Sequence, residues 1–182
     1  MLRLLRALFS ALVDILLLRR GPENVPASFG LLAIVILANS AITLLFASQF
    51  PEAARPTPIR LAVGVALTLL SYRVILGLAR KPERFLQTTT AVFGTQAIVA
   101  PVTVPISAAV LAGYLAKDSV TLPTLVLIGG GLLGVWVTIV SIYILKSATE
   151  WGIGGAIAVF LLQYFAVSLL LAALLGGLAP AN

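Results

Sequence analysis

Residues 88–116 read TTTAVFGTQAIVAPVTVPISAAVLAGYLA, 29 positions without one Asp, Glu, Lys or Arg. A continuous helix of that length rises about 43 Å at 1.5 Å per residue, more than the ~30 Å hydrocarbon core of a bilayer. Pro101 and Pro105 interrupt it. Each removes a backbone donor and crowds the preceding turn, and each biases Ala100 and Val104 away from helical geometry. Whether this segment crosses completely decides the fold, because the other long apolar stretches are unambiguous. These are residues 29–50, 61–79, 124–145 and 152–175, each close to the ~20 residues that one crossing requires. Ser28 stands where an N-cap is expected for the first of them.

The basic residues arbitrate. With the N-terminus in the cytoplasm and all five segments crossing, Arg3, Arg6, Arg19, Arg20, Arg73, Arg80, Lys81, Arg84 and Lys146 fall on or near the cytoplasmic side, against Arg55, Arg60 and Lys117 outside. That bias is the positive-inside signature, and it collapses if the third segment is re-entrant. The expected fold class is therefore all-α: a polytopic helical membrane protein with five transmembrane helices over residues 29–175. The uncharged tail Pro180-Ala181-Asn182 then emerges outside, and the third span is kinked or broken by its two prolines. A bacterial inner membrane is the expected location.

Residues 1–20 are apolar but interrupted. Arg3, Arg6, Ser10 and Asp14 recur at helical spacing, with Leu5, Leu8, Phe9, Leu12 and Leu16 on the other face. This pattern predicts an amphipathic helix lying in the membrane interface, ended by Gly21 and Pro22. Asp14 would interrupt the core of a secretory signal, and Arg19-Arg20-Gly21-Pro22 stands where its small-residue cleavage site belongs.

Composition agrees. Of 182 residues 60% are apolar and 10% charged, and the mean hydropathy is +1.13; soluble domains carry about a quarter charged residues. The chain has no cysteine and no histidine. Disulfides, thiol nucleophiles, imidazole acid–base chemistry and zinc sites are thereby excluded. Two Asp and four Glu leave little for a carboxylate metal cage, so neither an enzyme nor a cofactor is expected. The net charge of +6 fits loops facing anionic lipid; no basic stripe interleaved with aromatics suggests nucleic acid.

Within the spans a few residues stand out. If Pro101 and Pro105 break the third span, the polar stripe of Thr89, Gln96, Thr103 and Ser107 near one face flanks the break, and Asn39, Gln96 and Gln163 would line a pathway, as in transporters; otherwise the hydroxyls bond back to carbonyls of their own helix. Asn39 and Gln163 lie mid-span and are expected to bond across helices, conceivably to each other. Gly130 and Gly134, like Gly154 and Ala158, have the spacing that lets helices approach closely, and Trp136 is expected in such packing. Arg73 is the one strong charge inside a span, close enough to Arg80 to snorkel to the headgroups. Arg19, Arg20, Arg80, Lys81 and Arg84 form a basic cytoplasmic face suited to anionic lipid or an acidic partner.

The layout resembles the Yip domain family, small five-span membrane proteins with a cytoplasmic N-terminus. Its eukaryotic members bind Rab-type GTPases, partly through a longer cytosolic region; here 28 residues precede the first span. The run PERFLQTTTAVFGT, residues 82–95, also resembles a short bacterial group. What the resemblance implies is the five-span layout, with no functional residue assigned. The functional expectation is a non-enzymatic protein acting by association, as an accessory subunit or scaffold of an inner-membrane assembly or by self-association. The alternative is a small oligomeric transporter or channel using the third span.

Overall fold

The computed structural model describes residues 2–51, 55–115 and 124–176. Lys117 and the C-terminal tail lie outside the described residues. Six α-helices follow in order: α1 (Leu2–Leu16), α2 (Phe29–Leu45), α3 (Pro58–Leu78), α4 (Phe85–Leu115), α5 (Thr124–Thr149) and α6 (Ile153–Gly176). Single 3-10 turns occupy Pro22–Asn24, Ala47–Gln49 and Pro82–Arg84, and no strand occurs among the described residues.

Four stretches are long and apolar enough to cross a bilayer: Pro58–Leu78, Pro82–Gly113, Val126–Thr149 and Ile153–Leu174. The first expected span is shorter than its apolar run. Ser28 caps α2, its hydroxyl accepting from the Leu31 N–H at 3.5 Å, but the helix stops at Leu45. Pro51 disfavours helical geometry at Phe50, which is extended at ψ 146°, and the intervening residues tighten into a 3-10 turn. The 17 residues of α2 rise about 26 Å, just short of a ~30 Å core.

The third span, expected to be kinked or broken, is not broken: α4 continues as one helix through Pro101 and Pro105, with Ala100 and Val104 both helical. The missing N–H groups free the carbonyls of Ala97 and Pro101, one bond each, while 31 residues of helix hold the rest of the ladder. The hydroxyls of Thr103 and Ser107 donate back to the carbonyls of Val99 and Thr103, at 3.2 and 2.8 Å.

The bundle is built around the first part of α4. Residues 88–95 are buried on every side, because α1, α2, α3 and α5 all contact this helix. Such a segment must be apolar or small all round, and Thr-Thr-Thr-Ala-Val-Phe-Gly-Thr meets that need with hydroxyls that can bond internally. Thr89 donates to the Phe85 carbonyl at 2.7 Å and Thr95 to the Ala91 carbonyl at 2.8 Å.

The amphipathic α1 turns its apolar stripe inward onto α4 and α5. Leu8, Ala11, Leu12 and Ile15 are buried, whereas Phe9, assigned from the pattern to the same face, is 61% exposed. The stripe is drawn in by Gly94: a Cβ there would lie 2.6 Å from Leu12 Cδ1 and 3.2 Å from its Cγ. Outside the bundle the surface is apolar. Leu132, Leu162 and Leu169, each mid-helix, are 68%, 70% and 69% exposed, as lipid-facing side chains are.

The Leu12–Gly94 contact yields a prediction. A Gly94→Leu substitution should displace α1 and cost about 1–3 kcal/mol through overpacking. Because the chain has no cysteine, an Ile15→Cys reporter can follow it. The thiol should resist maleimide in the parent, react in the Gly94→Leu variant, and be protected again when Leu12→Ala restores room.

Candidate functional site

A cavity of about 310 Å³ opens between α2, α4 and α5. Asn39 of α2, Gln96, Thr103 and Ser107 of α4, and Gly130 and Gly134 of α5 all line it, with Val99, Ala100 and Val137 among the apolar wall. The polar α4 residues share a face because they are seven and four positions apart. The void has a local cause. Gly130 sits against α4, where a Cβ would lie 2.6 Å from Ile106 Cγ2, while Gly134 has nothing within 4 Å of its Cβ position. Small residues at 100, 130 and 134 thus let the backbones approach at one level and leave the space beside it unfilled. Pro101 and Pro105 are not among the lining residues.

The donors around the cavity are unevenly committed. Thr43 bonds to the Asn39 carbonyl at 2.9 Å, and Thr103 and Ser107 spend their protons on α4 carbonyls. The side-chain amides of Asn39 and Gln96 take no part in these bonds and line the cavity. A second, narrow gap between α4 and α5 is lined by Leu16, Thr95, Gln96, Val99, Val137, Val140 and Ser141. It shares Gln96, Val99 and Val137 with the larger cavity, and Leu16 of α1 lines it from the other side.

Gln163 is elsewhere. Its Nε2 donates to Ser71 Oγ at 2.9 Å, and Ser71 donates onward to the Thr68 carbonyl at 2.7 Å. The residue ties α6 to α3 and makes no hydrogen bond to Asn39, which lines the cavity between α2, α4 and α5. Arg73 is exposed, its guanidinium carbon 5.7 Å from the Phe85 ring centroid. It lies over the start of α4 in a cation–π contact, away from the cavity. Trp136 is 40% exposed on the outer face of α5 rather than packed inside the bundle, and Gly154 and Ala158 are exposed on α6.

The cationic end is largely committed to the fold. Lys81 Nζ lies 2.8 Å from Glu150 Oε2, and Arg84 pairs with the other carboxylate oxygen. Arg84 also donates to the carbonyls of Ser147 and Ala148 at 3.0 and 3.3 Å, where the last turn of α5 presents unpaired acceptors and the negative end of its dipole. Arg20 Nε is 3.3 Å from Asp14 Oδ2. Of the five expected docking residues, Arg19 and Arg80 are thus exposed and without an ion pair among the described residues. Glu150 is the centre of this clamp.

Sequence reasoning also missed the buried threonines. Thr88 and Thr90 are fully buried with hydroxyls that find no partner; the run of three threonines before Gly94 was the signal. No group of three His, Cys, Asp or Glu able to hold a metal occurs among the described residues. No protein-family model matches the chain, and neither a curated protein nor a solved structure matches it.

The clamp gives a pH dependence. Hydrogen bonds from Lys81 and Arg84, with their charges, hold the Glu150 carboxyl below its ordinary value of 4.5. A depressed carboxylate contributes stability that is present above the unfolded pKa and is lost as pH falls through the folded one. The thermal midpoint in detergent should therefore be insensitive to Glu150 above about pH 5 and decline below 4.5. Glu150→Gln should remove that part of the decline, by a small amount because the carboxylate is exposed.

Proposed function

We propose that this chain is a multi-pass membrane protein that binds a small molecule in the cavity between α2, α4 and α5, as the unit of a small carrier. The observation that carries this reading is convergence. Asn39, Gln96, Thr103 and Ser107 are scattered over 69 positions of sequence and line one space. In an apolar bundle, polar side chains gathered around a void and not bonded to one another are suited to a ligand. The prolines enter this reading only through the carbonyls they free, not as a break.

The proposed topology has α2 to α6 crossing a bacterial inner membrane, N-terminus in the cytoplasm, with α1 against the cytoplasmic half. It is supported by the Lys81–Glu150–Arg84 clamp, which brings the α3–α4 and α5–α6 connections to one end. The Gln87 Nε2 bond to the Glu23 carbonyl, 3.2 Å, brings the start of α2 to the same end. That layout agrees with the Yip-like resemblance. Arg19 and Arg80 would then face anionic headgroups. The chain is proposed to be non-enzymatic, for want of a base and nucleophile in one place.

Association as an accessory subunit or by self-association is the second reading. It is favoured by Gly154 and Ala158, exposed one turn apart with open space at the Gly154 Cβ position.

Gly134→Leu separates the two. Its side chain can enter the cavity without meeting protein at Cβ, so folding should be retained. The parent, purified in mild detergent and examined by native mass spectrometry, should carry a co-purified small molecule that Gly134→Leu has lost. Equal ligand loads, or none in either, would sink the binding reading; a dimer of the parent that Gly154→Leu dissociates would favour association.

A further inference from the structure

Resting on the binding reading above, we infer that the cavity takes an uncharged, hydroxyl-bearing lipid that enters sideways from the bilayer with its head toward Asn39 and Gln96. Four observations lead there: depth, charge, hydrogen-bond sense and shape.

Depth comes first. Gln96 is twelve residues along α4 from Arg84, and Gly134 is twelve residues along α5 from Lys146; each offset is about 18 Å. From a charged end at one interface, that reaches past the middle of a ~30 Å core.

Among the described residues no Asp, Glu, Lys or Arg lines the cavity. An ionic headgroup at that depth would be unpaired and strongly disfavoured. The lining supplies only neutral amides and hydroxyls.

The hydroxyl protons of Thr103 and Ser107 are already donated to carbonyls, so these oxygens can only accept from a ligand. The amides of Asn39 and Gln96 can donate and accept. A ligand head carrying its own O–H satisfies both sets; a head with acceptors alone leaves the hydroxyl oxygens unused.

The volume of about 310 Å³ is about twice the ~150 Å³ apolar cavity that holds a benzene. It fits a glycerol-sized head and the first carbons of a chain, not a whole lipid. Ser107 and Gly134 are exposed, so the cavity opens on the bundle surface. Ile106, Leu133 and Val137 in its wall are partly exposed apolar side chains. The remaining chain would lie along that apolar rim.

The test uses the full chain in phosphatidylcholine vesicles with three photoprobes sharing one diazirine-bearing acyl chain: a diacylglycerol, the same molecule with its hydroxyl acetylated, and a phosphatidylglycerol. Crosslinks are mapped by mass spectrometry to residues 96–107 and 130–137. The diacylglycerol should label these segments about fivefold more than its acetate, the ratio one net hydrogen bond gives, and more than the anionic probe. Gly134→Leu should abolish labelling, and Asn39→Leu with Gln96→Leu should bring the diacylglycerol down to its acetate. Equal labelling by all three probes, still sensitive to Gly134→Leu, overturns the neutral hydroxyl class and leaves the binding site standing. Preferential labelling by the phosphatidylglycerol does the same. Labelling indifferent to Gly134→Leu, or absent from both segments, overturns this inference and the binding reading together.

Discussion

The tertiary structure depends on one helix segment being coverable from all directions. Residues 88–95 of α4 are buried on every side, which favours small side chains and internally bonded hydroxyls. Ala91 and Gly94 supply the first and Thr89 and Thr95 the second, while Thr88 and Thr90 are buried without a hydroxyl partner. Gly94 is the tightest point, because Leu12 occupies the volume its side chain would need. For helices that span a membrane, hydrophobic burial offers little drive for association, so fit and backbone approach carry most of it. That is why glycines at 94 and 130, rather than the larger apolar residues, determine which helices meet.

The charged end shows the complementary constraint. Helices α1, α3 and α5 are each followed by a non-glycine residue with positive φ, Leu18 at 58°, Arg80 at 57° and Glu150 at 59°. Such a residue closes a helix but costs on the order of 1 kcal/mol or more. The closing bonds are in place: the Arg19 N–H reaches the Asp14 carbonyl at 2.8 Å, and the Lys81 N–H reaches the Leu76 carbonyl at 2.8 Å. At Glu150 the unfavourable geometry has a use. It turns the carboxylate toward Lys81 and Arg84, which joins the connection before α4 to the one before α6. A charge cluster that reads as a docking patch in sequence is thus partly a structural clasp.

The cavity follows from the same small residues. Where Gly130 brings α5 against Ile106, the neighbouring turn at Gly134 has no side chain to fill the gap. Pro101 and Pro105, the most conspicuous residues of the segment, contribute no lining. Conspicuous sequence features and site residues therefore separate here. Proline acts on its own helix, whereas a void depends on which residues of two other helices stand opposite.

The sequence by itself determined the helical class. Long apolar runs and scarce charges give helices that could span a membrane, because hydrophobicity and backbone hydrogen bonding are local properties that depend on no partner. It also located most helix ends, since caps and prolines act within a turn. What it could not set was the pairing of faces. That α1 turns inward at Gly94, that Gln163 meets Ser71 instead of Asn39, and that Asn39 and Gln96 share a cavity were decided only by the tertiary structure. Those contacts join residues up to 92 positions apart, and at such separations the deciding quantity is the fit between two surfaces, which no single stretch of sequence contains.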